Sequence, residues 1–231
     1  MPLPRTGCLM DLTTTTSPTV ATPRSGKRFF VNEIFLSLQG EGVRAGTANI
    51  FVRFGGCNLK CSGEWVGNKE TGVFQPLCDT EFESGRRLSP EEIHKWFLEC
   101  SEKIKFVILT GGEPGLQVDK EFCDYFHELG YKLAIETNGT IALPEGLDWI
   151  TLSPKVAEHA LKQLFAHELK YVRAYGQGIP KTAVTAEYYV ISPAFEGDYL
   201  DPKTLAWCVQ LCKDHPQWRL SLQLHKILGV R

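Results

Sequence analysis

Three cysteines in glycine-rich and acidic loop sequence are the side chains best suited to chemistry. Cys57 and Cys61 lie in a loop that begins with Gly55-Gly56, and Cys78 follows after sixteen intervening residues. Thiolates bind soft metals, and three of them leave one position of a tetrahedral set open. The pattern therefore predicts either a zinc site that lacks a ligand or an iron–sulfur cluster with one iron free to bind another molecule.

The remaining cysteines have different surroundings. Cys208 and Cys212 lie one helical turn apart among apolar residues, a spacing that could form a metal pair but favours the core face of a helix. Cys100 and Cys123 also fall on apolar helix faces, and Cys8 lies near the amino terminus. No secretion signal precedes them, so we expect free thiols in a reducing compartment rather than disulfides, and we expect a cytoplasmic protein.

Polar segments follow the predicted strands one after another. Ligands bind at the carboxyl ends of strands in parallel α/β sheets, so these segments predict one site on one face of the fold. The segments are Gln39–Gly42, Gly55–Cys61, Thr110–Pro114, Glu136–Gly139 and Ser153–Lys155.

Strands alternate with helices along most of the chain, which predicts an α/β fold with a mostly parallel sheet. Helices are fewer than strands, so we expect a modified, incomplete (β/α) barrel. Ser89 and Glu92 have the spacing of a capping box at a helix start. The predicted strands are 29–38, 48–54, 105–109, 132–136, 149–152, 169–172, 188–191 and 218–224, and the predicted helices are 90–101, 119–129, 158–165 and 202–215.

Composition limits the possible partners and the domain organisation. The chain has 231 residues, a formal net charge of −2 and no apolar run long enough for a membrane helix, so we expect neither nucleic acid nor membrane as a direct partner. Residues 1–28 lack periodic apolar positions, which predicts a flexible leader before a single domain over 29–231.

These motifs, in this order, resemble the radical S-adenosylmethionine (SAM) superfamily and, within it, the 7-carboxy-7-deazaguanine synthases. The resemblance covers about residues 29–231. It departs from the usual pattern in the long gap before Cys78 and in Ser192, where the family more often has glutamine. The matching segments are 33–42, 51–59, 78–80, 110–114, 136–140, 153–155 and 223–226.

The resemblance implies a set of cofactors. Cys57, Cys61 and Cys78 are expected to bind a 4Fe–4S cluster, and the hydroxyl of Thr80 is expected to bind Mg²⁺. The residues expected to contact SAM are Gly112, Glu113, Asn138, Ser153 and Lys155.

The resemblance also implies a substrate and a reaction. The substrate is 6-carboxy-5,6,7,8-tetrahydropterin, a small pterin whose ring contracts to 7-carboxy-7-deazaguanine with loss of ammonia. A flavodoxin-like or other electron donor and a homodimer are further expectations. The expected substrate contacts are Gln39, Glu41, Arg53, Thr110, His225 and Arg231, with Arg53 as a bidentate clamp on the carboxylate.

Two other functions share some of these features. A glycyl-radical-activating enzyme has the same cluster and Gly-Gly-Glu sequence but acts on a protein. Such an enzyme would not need Gln39, Glu41 and His225. A zinc or iron–sulfur module without catalytic activity is the second alternative, and the absence of visible absorption would distinguish a zinc protein.

Overall fold

The computed structural model describes residues 26–61, 65–66, 73–74, 78 and 81–230. Most of the predicted leader, together with Cys8, Thr80 and Arg231, lies outside the described residues. The domain boundary at residue 29 coincides with the start of the first strand, Phe29–Leu38.

The described chain contains strands, four helices and short 3₁₀ turns. The strands are β1 (Phe29–Leu38), β2 (Ala48–Phe54), β3 (Trp65–Val66), β4 (Val73–Phe74), β5 (Arg86–Leu88), β6 (Phe106–Gly111), β7 (Lys132–Thr137), β8 (Trp149–Leu152), β9 (Phe165–Arg173), β10 (Thr185–Pro193) and β11 (Trp218–Leu220). The helices are α1 (Pro90–Cys100), α2 (Lys120–Glu128), α3 (Pro202–Asp214) and α4 (Leu224–Leu228).

Nine of these strands form one sheet in the order β11-β10-β9-β8-β7-β6-β2-β1-β5. Every pair from β2 through β11 in that order is parallel, whereas β1 runs antiparallel to both β2 and β5. The strands β5 and β11 lie at opposite edges, so the sheet does not close. The prediction of an incomplete, mostly parallel (β/α) barrel is confirmed.

The two faces of the sheet differ in what covers them. One face packs against the helices through a large apolar core that includes Val52 of β2, Phe97 of α1 and Phe122 of α2. The opposite face has only a small apolar cluster, formed by Phe35, Phe51, Ile108 and Ala134. Polar side chains on that second face are therefore available for a site.

Local signals in the sequence predicted several boundaries well. The strands 29–38, 48–54 and 149–152 have the predicted bounds. The capping box at α1 is present, because the Ser89 side chain accepts from the backbone of Glu92 and the Glu92 side chain accepts from the backbone of Ser89. Pro90 then occupies the first turn, where its missing N–H has no cost.

Two predicted elements are wrong. The helix predicted over 158–165 is only the 3₁₀ turn Glu158–Ala160, and the backbone N–H groups of Lys162 and Gln163 donate to the carbonyl of Gly139 instead. The strand predicted over 218–224 ends at Leu220 and is followed by α4. Both segments are too short for their apolar spacing to outweigh contacts with neighbouring loops.

None of the helices within the described residues combines the length and the apolar character required to span a membrane.

Candidate active site

The carboxyl ends of the central parallel strands open onto one cavity of about 970 Å³. This volume lies within the range of small-molecule and cofactor sites. Its wall includes all three loop cysteines and residues from the ends of β6 through β10. The polar lining residues include Glu41, Thr110, Glu136, Thr137, Asn138, Thr151, Ser153, Lys155, Lys170, Ser192, Gln223 and Lys226.

The loop Gly55–Cys61, called the cysteine loop below, follows β2 and forms one wall of this cavity. Burial raises the pKa of the Cys57 thiol, and the neighbouring Glu113 and Cys78 raise it further. Burial likewise raises the pKa of Cys61, with Lys155 lowering it and the other two cysteines raising it. The three thiols therefore influence one another electrostatically. Metal coordination would supply the positive charge that holds them as thiolates, so they fit an iron–sulfur cluster.

Within the described residues, no group of three His, Cys, Asp or Glu side chains is arranged to hold a single metal ion. Cys57, Cys61 and Cys78 instead surround part of the larger cavity. The other cysteines of the described chain pack in the apolar core, as predicted: Cys123 and Cys208 are fully buried, and Cys100 and Cys212 pack against them. Burial raises the pKa of Cys123 and of Cys208 to about 12.

The Gly-Gly-Glu-Pro segment after β6 lies directly against the cysteine loop. A Cβ at Gly112 would lie 2.6 Å from the carbonyl carbon of Gly56 and 3.1 Å from Cβ of Cys57. The backbone N–H of Glu113 donates to the carbonyl of Gly56 at 3.0 Å. Only glycine allows the two loops to approach each other this closely, so their contact requires a glycine at position 112.

The Glu113 carboxylate is fully buried, and it accepts hydrogen bonds from other residues of the chain. Its oxygens accept from the Gly115 N–H at 2.9 Å, the Thr137 hydroxyl at 2.9 Å and the Asn138 N–H at 2.8 Å. Burial raises the pKa of Glu113, and these hydrogen bonds act in the opposite direction. Glu113 therefore joins the loop after β6 to the loop after β7.

Asn138, Ser153 and Lys155 face the cavity next to the cysteine loop. The Asn138 amide donates to the Asn58 side chain at 3.1 Å, and Asn58 donates to the hydroxyl of Thr140 at 2.8 Å. The Lys155 ammonium donates to the Ser153 hydroxyl at 2.9 Å. These contacts link the cysteine loop to the loop after β7 and leave polar groups around the cavity for a nucleoside-type cofactor.

A row of polar side chains crosses the open face of the sheet just below the cavity. Strand register places Glu33 opposite Arg53, Arg53 opposite Thr110, Glu136 opposite Thr151, and Thr151 opposite Glu168. The Thr110 hydroxyl donates to Glu136 at 3.0 Å, which connects the row across β6 and β7. Period-two alternation turns all these residues to the same face.

Comparison with known proteins decides the family. The chain matches the Radical SAM superfamily over residues 51–174, more than half of its length. It is 41% identical over 216 residues to 7-carboxy-7-deazaguanine synthase of Bradyrhizobium diazoefficiens, covering 88% of this chain and 99% of that protein. It is 41% identical over 208 residues to the protein of the same name in Bacteroides thetaiotaomicron, covering 87% and 98%.

The chain belongs to the 7-carboxy-7-deazaguanine synthase family of radical SAM enzymes. The crystal structure of QueE from Escherichia coli has the same fold, with a TM-score of 0.60 and 24% sequence identity over 86% of this chain and 95% of that chain. The predictions of family, fold and enzyme type are confirmed. The family uses a 4Fe–4S cluster and SAM, and the cavity described above has the thiols and polar groups for both.

Four of the described residues that the family resemblance placed at the site do not line the cavity, namely Gln39, Arg53, Glu113 and His225. Arg53 does not line the cavity; its Nε donates to Glu33 at 2.7 Å, and both side chains are partly exposed. Gln39 also lies outside the cavity wall, where it donates to Glu136 at 2.9 Å and accepts from the N–H of Glu41 at 3.1 Å. Glu113 is fully buried and does not line the cavity, and its oxygens accept hydrogen bonds from Thr137 and Asn138.

His225 lies in α4 next to the Gln39–Gly42 segment. A side chain at Gly40 would collide with the His225 ring, and the N–H of Leu224 donates to the Gly40 carbonyl at 2.8 Å. The next residue, Lys226, lines the cavity, whereas His225 does not. Thr80 and Arg231 lie outside the described residues.

The sequence interpretation missed the charged residues of β9. Lys170 lines the cavity and forms an ion pair with Glu41, and Glu168 is buried nearby with one oxygen accepting from the N–H of Val43 at 2.8 Å. Both lie in a strand whose buried residues also include Ala166, Leu169 and Tyr171. A charged residue inside such a strand is rarely buried without a function or a partner, and that signal could have identified them.

Proposed function

We propose that the chain converts 6-carboxy-5,6,7,8-tetrahydropterin into 7-carboxy-7-deazaguanine with loss of ammonia, in queuosine or another 7-deazapurine biosynthesis. The observation that carries the proposal is its identity of 41% to proteins named for this activity over almost their whole length. The cavity supports it, because the cysteine loop and a floor of hydrogen-bonding side chains face the same space.

Cys57, Cys61 and Cys78 are the proposed ligands of the 4Fe–4S cluster. With SAM bound at the cluster, the pair would supply the radical chemistry for removal of a hydrogen atom from the substrate. The chain positions SAM through Gly112, Asn138, Ser153 and Lys155, which lie at the cluster end of the cavity. Glu113 acts indirectly, since it fixes the backbone of Asn138.

The substrate is proposed to occupy the opposite end of the cavity, above the row of polar side chains. Thr110 and Glu136 line this region and are hydrogen-bonded to each other at 3.0 Å. Glu41 presents a carboxylate that suits the amino group of a pterin. Arg53 contributes by its positive charge and, after a side-chain rotation, by a direct contact with the substrate carboxylate.

Several further roles belong to the same proposal. Thr80 and substrate oxygens are proposed to bind Mg²⁺, a hard cation that prefers oxygen ligands. A flavodoxin-like electron donor reduces the cluster, and the chain works as a cytoplasmic homodimer. Arg231 and His225 contribute at the substrate end of the cavity.

The direct test is anaerobic turnover with the reconstituted cluster, SAM, Mg²⁺ and a chemical reductant. We expect formation of 7-carboxy-7-deazaguanine, identified by mass, and dependence of the rate on added Mg²⁺. Cleavage of SAM without conversion of the pterin, in protein with a full iron load, would contradict the proposed substrate. A matched assay with Cys57→Ala separates enzymatic product from background.

A further inference from the structure

Lys170 carries a buried ammonium group at the floor of the cavity, and the proposed reaction assigns no role to it. It lies near the end of β9, its side chain is 11% exposed, and it lines the cavity. Burial by itself lowers the pKa of Lys170, but the negative charges of Glu41, Glu136 and Glu168 raise it above its usual value. The ammonium therefore stays charged between three carboxylates.

Glu41 is the carboxylate that Lys170 contacts directly. Its Oε2 accepts from the Lys170 ammonium, and its Oε1 accepts from the Gln223 amide at 2.7 Å. Burial by itself raises the pKa of Glu41, but the attraction of Lys170 and these hydrogen bonds lower it to about 2. Each oxygen keeps a lone pair that can accept a further hydrogen bond from a molecule in the cavity.

The charges around Glu41 come from every element packed against it. Lys170 and Glu168 are on β9, and Glu136 is on β7. Arg44, in the turn after β1, borders the same small pocket and interacts with Glu168, and His225 on α4 adds a weak attraction. Removal of Lys170 would leave three carboxylates in a buried space with Arg44, beside Glu168, as the neighbouring cation. Like charges in such a space cannot all stay ionised, so at least one would take up a proton.

We infer that Lys170 is a positioning residue whose ion pair holds the Glu41 carboxylate in place at the cavity wall. This inference rests on the proposed function. Lys170 also provides one hydrogen-bond donor next to the two acceptor oxygens of Glu41. That sequence of donor and acceptors is complementary to the pyrimidinone edge of a pterin, which carries a carbonyl oxygen, a ring N–H and an amino group. The Lys170–Glu41 pair thereby determines which ring the enzyme accepts.

The test compares KM and kcat for the pterin as a function of pH in anaerobically reconstituted enzyme. In Lys170→Met we expect KM near neutral pH to rise at least about 30-fold, the effect of breaking a desolvated charge pair. Because Glu41 would then titrate with a raised pKa, KM should fall again as the pH rises. The unaltered enzyme and Lys170→Arg should keep a flat KM profile, and Lys213→Met provides an exposed matched control.

Glu41→Gln provides a second test of the inference if Lys170→Met fails to fold. An amide cannot titrate, so this variant should have a raised KM that is independent of pH. A KM like that of Lys213→Met in folded Lys170→Met, or a pH-dependent KM in Glu41→Gln, would overturn the inference. If the unaltered enzyme forms no product, the proposed function is contradicted as well. The unaltered enzyme therefore distinguishes a failure of the inference on Lys170 from a failure of the proposed function.

Discussion

Gly112→Ala tests whether contact between the cysteine loop and the Gly-Gly-Glu-Pro loop is required for the radical reaction. The added Cβ would lie 2.6 Å from the carbonyl carbon of Gly56 and 3.1 Å from Cβ of Cys57. Ordinary carbon contacts begin near 3.4 Å, so the contact with the carbonyl carbon alone requires the two loops to separate by about 0.8 Å. The carbonyl oxygen of Gly56 lies nearer still and requires a larger separation. The backbone of both loops would have to move, because no flexible side chain stands between them.

The expected effect of this movement is larger on the reaction than on the fold. Overpacking of this kind costs about 1–3 kcal/mol of folding free energy. A displacement near 1 Å at a reacting centre lowers the rate on the order of 100-fold. We expect 5′-deoxyadenosine formation to fall by that factor in Gly112→Ala, whereas the iron content falls only in part.

The assay measures iron per chain, the rate of 5′-deoxyadenosine formation under a chemical reductant, and the urea midpoint of unfolding. Gly178→Ala is the matched control, because its Cβ would meet nothing within 4 Å and its backbone is not left-handed. A full iron load and an unchanged rate in Gly112→Ala would refute the argument that this close contact positions SAM on the cluster.

Three further predictions test other parts of the site. Cys61→Ala should lose iron whereas Cys208→Ala, a change in the apolar core, should keep it; equal iron in both would contradict the ligand assignment. Because the pKa of Glu41 is lowered from 4.5 to about 2, its ionised form stabilises the fold above pH 4.5, and that stability is lost as the pH falls. The loss is on the order of 3 kcal/mol. Urea midpoints between about pH 5 and pH 3 should drop less in Glu41→Gln than in the unaltered chain, and equal slopes would exclude this role. Arg53→Lys should raise KM for the pterin because an ammonium cannot bind Glu33 and a second carboxylate as a guanidinium does, so an unchanged KM would exclude Arg53 from the substrate site.

The sequence was most informative where local chemistry decides structure. Alternation and turn residues defined β1 and β2, and the Ser89 capping box defined the start of α1. The order of polar loops after strands predicted the single cavity, because parallel strands place their carboxyl ends on one edge. The segment 158–165 shows the limit, since the Gly139 carbonyl, distant in sequence, accepts its backbone N–H groups.

The hydrogen-bond partners within the site could not be read from the sequence for the same reason. Glu113 was expected to contact SAM, and the sequence did not indicate that its oxygens also accept from Gly115 in its own loop and from Thr137 and Asn138. Arg53 and Glu33 pair because β1 and β2 are antiparallel neighbours, and that register depends on the fold. Lys170 is 129 residues from Glu41, a separation at which sequence patterns carry no information on contact.

The hydrogen bonds between the cysteine loop and the loop after β7 make two binding events interdependent. Asn58 precedes Cys61 in the cysteine loop and is bonded to Asn138, which faces the cavity. We expect assembly of the cluster to order Asn58, and through this hydrogen bond Asn138, which is a proposed contact of SAM. Thermodynamic reciprocity then demands the converse, so that bound SAM strengthens binding of the cluster by the same coupling free energy. A change at Asn58 is therefore expected to weaken binding of the cluster and binding of SAM together.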